Sequence, residues 1–118
     1  MNRGCFSREK ATRSSAEWGY DTRMLLHLVC FKYKPSVDHE TRTDHRKRLR
    51  ALASLDGIVD LKVGEDVLRS VRSYDTGLSV TFRDRAALET YAKDARHVPV
   101  AQFGVGISEH IVSCDFEI

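Results

Sequence analysis

The segment Leu25-Leu-His-Leu-Val-Cys-Phe-Lys-Tyr33 is apolar on both of the faces that a strand presents: His27, Val29, Phe31 and Tyr33 alternate with Leu26, Leu28, Cys30 and Lys32. A strand of this kind is stable only where both faces are covered, so the run is expected at the centre of a sheet. Whatever fold the chain adopts is built outward from it.

Pro35 ends the run, and Ser36 or Asp38 is placed to cap a helix from about Val37 to Leu55. Most of that helix is polar, with Leu49, Leu52 and Leu55 forming a narrow inward stripe on which Thr41 and His45 also fall. Asp56-Gly57 stops it. A second strand follows at 58–64, with Val59, Leu61 and Val63 set against Asp60 and Lys62, and a loop without hydrophobic period covers 65–76. Leu78, Val80 and Phe82 mark a third strand at 77–82. Asp84 caps a second helix through Lys93, with Ala87, Leu88, Tyr91 and Ala92 inward. Residues 97–106 are apolar but punctuated by Pro99, Gly104 and Gly106, which suits a short irregular helix or a covering loop. The last run, 110–118, is a fourth strand with Val112, Cys114, Phe116 and Ile118 on one face.

This order, βαββαβ, specifies an α+β ferredoxin-like fold with both helices on one side of an antiparallel sheet. The other side is left bare, and if it carries His27 and Val29 they stay exposed unless a second sheet packs on them. A homodimer closing two sheets into a dimeric α+β barrel, with a small hollow enclosed between the copies, is the expected remedy.

A chain of 118 residues, 42% hydrophobic and 31% charged, suits one folded domain. Its longest apolar stretches, 24–31 and 98–107, fall short of the about 20 residues a membrane span needs, so no membrane partner is expected. The net charge of +2 resides in residues 1–23, and the remainder is neutral with 14 basic and 14 acidic groups, which offers no footprint for nucleic acid. Arg46, Lys47, Arg48 and Arg50 read as a solvated helix face. RNA-recognition domains share the strand order, but the third strand lacks their basic and aromatic stacking pattern.

Residues 1–23 read as an N-terminal extension ahead of a domain at 24–118, with Met24 directly before the first strand. They lack the apolar core of a secretory signal, and Glu9, Glu17 and Asp21 argue against a transit peptide. Phe6, Trp18 and Tyr20 are the side chains by which they would dock. Cys5, Cys30 and Cys114 are too few and too widely spaced for a zinc motif, and read as reduced thiols in a cytoplasm, Cys30 and Cys114 as small buried hydrophobes.

Chemistry is concentrated at the exit of the second helix, where Tyr91-Ala-Lys-Asp-Ala-Arg-His97 runs into Val98-Pro99. Six residues along one continuous helix rotate by roughly 240°, so Tyr91 and His97 converge only if the helix stops near Asp94 or Ala95. Pro99 disfavours helical geometry at Val98 and makes such a break plausible. A His titrates near neutrality and can remove a proton next to a carbonyl, and a phenol can donate to the developing enolate oxygen. His39, His45 and His110 read as surface residues. Asp94 or Glu109 would have to complete any metal site with His27 and His97, and no characteristic spacing supports one, so no metal is expected.

From Leu26 to Ile118 the chain resembles the stress-responsive α/β-barrel (Dabb) domain family. The resemblance rests on His27-Leu-Val-Cys-Phe-Lys-Tyr-Lys34-Pro35, Leu55-Asp-Gly57, Val63-Gly-Glu-Asp66, Thr81-Phe82, Leu88-Glu-Thr-Tyr91, His97-Val98 and Asp115-Phe-Glu-Ile118. It implies a dimeric α+β barrel, and many such proteins have no assigned activity. The chain is also similar to olivetolic acid cyclase and related polyketide cyclases, which close rings by cofactor-independent aldol chemistry. That likeness implies His97 as general base, Tyr91 as its assistant and His27 as a cavity residue, with Val29 beside it. Where the family often has His-Pro-Ala-His, this chain has Asp94-Ala95-Arg96-His97, so Asp94 is placed either to orient or charge His97 or to be solvated, and Arg96 either to attract an anionic substrate or to face water. Three function classes follow: a homodimeric stress-responsive or small-ligand-binding protein; a cofactor-independent cyclase or lyase acting on a small apolar or aromatic carbonyl compound in a cavity between helices and sheet; and a cofactor-free monooxygenase of related topology.

Overall fold

The computed structural model describes residues 23–118, and the expected docking residues Phe6, Trp18 and Tyr20, with Cys5 and the extension that carries them, lie outside these. In chain order the elements are β1 (Leu25–Tyr33), α1 (His39–Arg50) continued by a 3₁₀ turn (Ala51–Ser54), β2 (Ile58–Glu65), β3 (Thr76–Phe82), α2 (Arg85–Lys93), α3 (His97–Ile107) and β4 (Ser108–Glu117). The strands form one antiparallel sheet in the order β2-β3-β1-β4, with β1 internal as its two apolar faces require. This is the α+β ferredoxin-like fold.

The starts of α1 and α2 are set by side-chain caps. Asp38 Oδ1 accepts the Thr41 amide at 2.8 Å and Asp84 Oδ1 accepts the Ala87 amide at 2.8 Å, each worth about 1 kcal/mol. Gly57 turns the chain into β2 at φ +90°, and a Cβ there would stand 2.7 Å from Ala87 Cβ of α2, so only glycine serves. Residues 97–107 form a regular helix rather than an irregular one. Pro99 falls in its first turn, where backbone N–H groups have no intrahelical partner to lose. Gly104 lets the same helix settle onto α1, since a Cβ there would lie 2.9 Å from His45 Nε2.

The core lies between the sheet and the helices: Leu78, Val80 and Phe82 of β3, Val29, Phe31 and Tyr33 of β1, Leu49 of α1, Leu52 and Leu55 beyond it, and Ala87 and Tyr91 of α2. The face of β1 carrying His27, Val29, Phe31 and Tyr33 is therefore the covered one, and His27 and Val29 do not fall on the bare side. The bare face carries Leu26, Leu28, Cys30 and Lys32, and register places Phe116, Cys114 and Val112 beside them. Cys30 and Cys114 are accordingly exposed thiols within the subunit, not buried ones.

Four further positions depart from the sequence pattern. A register shift between Ile58 and Asp60 bulges Val59 out of the alternation and leaves it 59% exposed, while Ile58, Leu61 and Val63 pack on the core. Ala92 lies on the solvent side of α2. His45 and Arg46 are buried rather than at the surface. They tolerate burial because they join a polar chain: Arg46 Nη1 donates to Thr76 Oγ1 at 2.9 Å, Thr76 Oγ1 lies 2.8 Å from Tyr33 Oη, and Tyr33 Oη lies 2.7 Å from His45 Nδ1. No helix among the described residues is long and apolar enough to cross a membrane.

Candidate functional site

α2 ends at Lys93, and Asp94 leaves helical geometry at ψ 135°. Its backbone carbonyl then accepts the amides of His97 and Val98 at 2.9 and 3.0 Å, so the same residue that closes α2 opens α3. The Asp94 carboxylate fixes the bend by accepting the Arg96 amide at 2.7 Å. Across this break the Tyr91 and His97 rings meet, their centroids 4.1 Å apart.

Both rings face β1. His27 stands 6.3 Å from Tyr91 between ring centroids and 6.1 Å from Phe82. A cavity of about 170 Å³ opens among them, lined by His27, Val29 and Leu78 of the sheet, Tyr91 of α2, and His97 and Val100 of α3. Val105 and Ile111 also line it and stay 65% and 38% exposed, which marks its mouth at the β4 edge. The hollow thus lies within one subunit, between sheet and helices, and not between two copies. Its polar groups gather at one end of an otherwise apolar chamber, the usual layout of a small-molecule site.

The electrostatics differ from group to group. Burial pushes the Tyr91 phenol up to about 12, so it is a hydrogen-bond donor at any ordinary pH. Burial also lowers the His97 imidazole from its usual value, helped by nearby His27 and opposed by the Ala92 carbonyl and by Asp94. His97 Nδ1 lies 3.4 Å from the Ala92 carbonyl oxygen, an arrangement that puts the proton on Nδ1 and leaves Nε2 as acceptor. His27 Nδ1 is bonded to Asp115 Oδ1 of β4, its register partner. A neutral base, a neutral acid and a carboxylate-held imidazole are thereby brought together, a set able to take a proton from carbon or oxygen and to steady the oxyanion that results.

Of the residues singled out in the sequence, Tyr91, His97, His27 and Val29 line the cavity. Asp94 and Arg96 lie outside its lining: the Asp94 carboxylate is engaged at the helix break, and the Arg96 side chain is 65% exposed, its Nε 3.5 Å from Asp94 Oδ1. Asp115 was not singled out. Its signal lay in the closing Asp115-Phe-Glu-Ile118 run, but its role follows from the β1–β4 register, which places it opposite His27.

A family model described as Stress Responsive A/B Barrel Domain matches residues 25–118. No curated protein matches the chain. Among solved structures, a dimeric ferredoxin-like protein of unknown function from Thermobifida fusca aligns with TM-score 0.76 at 14% identity, covering 84% of this chain and 94% of its own. A hydroxynitrile lyase from Passiflora edulis aligns with TM-score 0.74 at 17% identity, covering 82% and 94%. A dimeric ferredoxin-like protein of unknown function from Jannaschia sp. CCS1 aligns with TM-score 0.69 at 26% identity, covering 80% and 99%.

Proposed function

The chain belongs to the stress-responsive A/B barrel domain family, and we propose that it is a homodimeric member whose cavity binds a small, largely apolar molecule bearing a carbonyl or hydroxyl oxygen and moves a proton on it. The observation that carries this reading is the convergence of Tyr91, His97 and His27 at one end of an apolar chamber.

In this reading His97 Nε2 is the general base. It removes a proton from the carbon next to the substrate carbonyl, and Tyr91 Oη donates to the enolate oxygen as charge develops there. The enolate carbon then attacks a second carbonyl of the same molecule in a cyclase, and the proton on His97 passes to the new alkoxide. In a lyase the base takes the proton of a hydroxyl, the adjacent carbon–carbon bond breaks to give a carbonyl, and the departing carbanion takes the proton. Asp115 keeps His27 oriented as the second imidazole. Asp94 and Arg96 enter as residues that fix the helix break. The lyase form gains support from the fold likeness to a hydroxynitrile lyase.

The homodimer is supported by the bare face, where Leu26, Leu28, Cys30, Val112 and Phe116 form an apolar surface, and by neighbours of the same fold described as dimeric. Free Cys30 and Cys114 on that face suit a reducing compartment such as the cytoplasm.

The test is a thermal-shift screen of aromatic and polyketide-like acids and aldehydes, with cleavage of racemic mandelonitrile followed by benzaldehyde absorbance. Stabilisation by an oxygenated aromatic that Tyr91→Phe weakens is the expected result. A screen in which no such compound shifts the melting temperature, together with no turnover above buffer, contradicts the reading.

A further inference from the structure

A second cleft, of about 270 Å³, lies between the start of α1 and the β2–β3 loop and shares no lining residue with the cavity. We propose that it binds a small oxyanion, either free phosphate or the phosphoryl end of an organic molecule.

Three arginines line it: Arg42 and Arg46, one turn apart on α1, and Arg69 from the loop. Arg46 is the anchor. Its side chain is only 7% exposed, and a cation so far from water is costly unless its donors are taken up. Nη1 donates to the neutral Thr76 hydroxyl at 2.9 Å, while Nη2 reaches Glu65 only at 3.7 Å, and that carboxylate is itself 50% exposed. Arg42 places Nε on the Val37 carbonyl at 2.9 Å, but its Nη1 stops 3.7 Å from Asp75 Oδ2. Arg69 Nη1 stops 3.8 Å from Asp75 Oδ1. Each of these three terminal nitrogens faces a carboxylate beyond hydrogen-bond reach.

The carboxylates screen the repulsion between the arginines without closing a hydrogen bond to these three nitrogens. Asp75 Oδ2 already accepts the Tyr33 amide at 2.8 Å. Arg69 is held at φ 55° with its amide on Asp66 Oδ2 at 2.7 Å, which keeps its side chain over the cleft. Three guanidinium groups against Glu65 and Asp75 leave the lining net positive, and His39 adds an imidazole at its edge. A tetrahedral oxyanion presents three or four acceptor oxygens at once and takes paired N–H donors from guanidinium groups, so it suits three such groups better than a single carboxylate does.

The test is titration of the full ¹⁵N-labelled chain with inorganic phosphate at constant ionic strength, chloride being the balancing ion. Expected are saturable amide shifts confined to 39–46 and 65–76, weakened about tenfold or more by Arg42→Gln and by the exposed Arg69→Gln, the loss of one charge-assisted contact. Because Arg46→Met risks the fold, the other two substitutions carry the result. Phenyl phosphate binding more tightly than phosphate assigns the site to a phosphorylated organic ligand, and equal affinity assigns it to the free ion. Shifts that rise linearly with phosphate, or that survive both substitutions unchanged, overturn the proposal.

Discussion

The rings of Tyr91 and His97 lie with centroids 4.1 Å apart and planes tilted by 38°, although they belong to different helices. The contact depends on Asp94, whose extended backbone ends α2 and whose carbonyl starts α3. A continuous helix would have sent the two side chains to different faces. The break places one acid and one base over the same patch of β1.

Replacement of His97 by Ala removes the base, and turnover of any substrate found for the cavity is expected to fall by about 10²–10⁴. Tyr91→Phe removes one donor to the oxyanion and is expected to cost about 10²–10³ in kcat. Far-ultraviolet circular dichroism should be unchanged in both. A His97→Ala enzyme with full activity contradicts the assignment of the base.

The pH profile follows from the direction of each shift. His97 acts when neutral, and burial holds its pKa below the usual 6.5, so kcat/KM should rise with pH through an apparent pKa below that value. Tyr91, pushed up to about 12, keeps its proton and leaves a broad plateau above neutrality. Stopped assays across pH 5 to 10 check this, and an ascending limb centred well above 7 contradicts it.

His45 makes stability depend on pH. Burial takes its pKa from 6.5 down to about 4, with Arg46 and Arg48 adding to the effect and Asp44 opposing it. Between those values the unfolded chain binds the extra proton and the folded one does not, so stability is full above pH 6.5 and falls as pH drops toward 4. The loss is on the order of 3 kcal/mol when complete. Urea unfolding of the wild type and of His45→Gln should differ in slope over this window. A wild-type profile that is flat there, relative to the variant, contradicts the buried neutral imidazole.

The bare face provides a separate test. Leu28→Glu puts a charge among Cys30, Cys114 and Phe116 and should yield monomers by sedimentation at micromolar concentration, where the proposed function expects the wild type to sediment as a dimer. A wild-type monomer under the same conditions contradicts the homodimer.

Much of the fold was legible because its signals are local. The double apolar face of Leu25–Tyr33 placed β1 inside the sheet, Asp38 and Asp84 announced the two capped helices, and Gly57 the turn. The break at Asp94 was also local, so the Tyr91–His97 meeting could be anticipated. What failed depended on which face meets which element. Alternation in β1 gives two faces but not which of them the helices cover, and the bulge at Val59 shifts a face without any mark in composition. Arg46 looked solvated, and His45 read as a surface residue although it also fell on the inward stripe of the helix, because their partners, Thr76 and Tyr33, come from distant strands. Asp115 became visible only once register set it against His27.

The most direct test is a crystal structure of the protein with the compound that most raises its melting temperature. The account predicts the ligand inside the chamber beneath α3, with an oxygen about 3 Å from Tyr91 Oη and a second polar contact to the His97 ring. A ligand bound elsewhere on the molecule, with Tyr91 and His97 packed against side chains and the chamber closed, would contradict it.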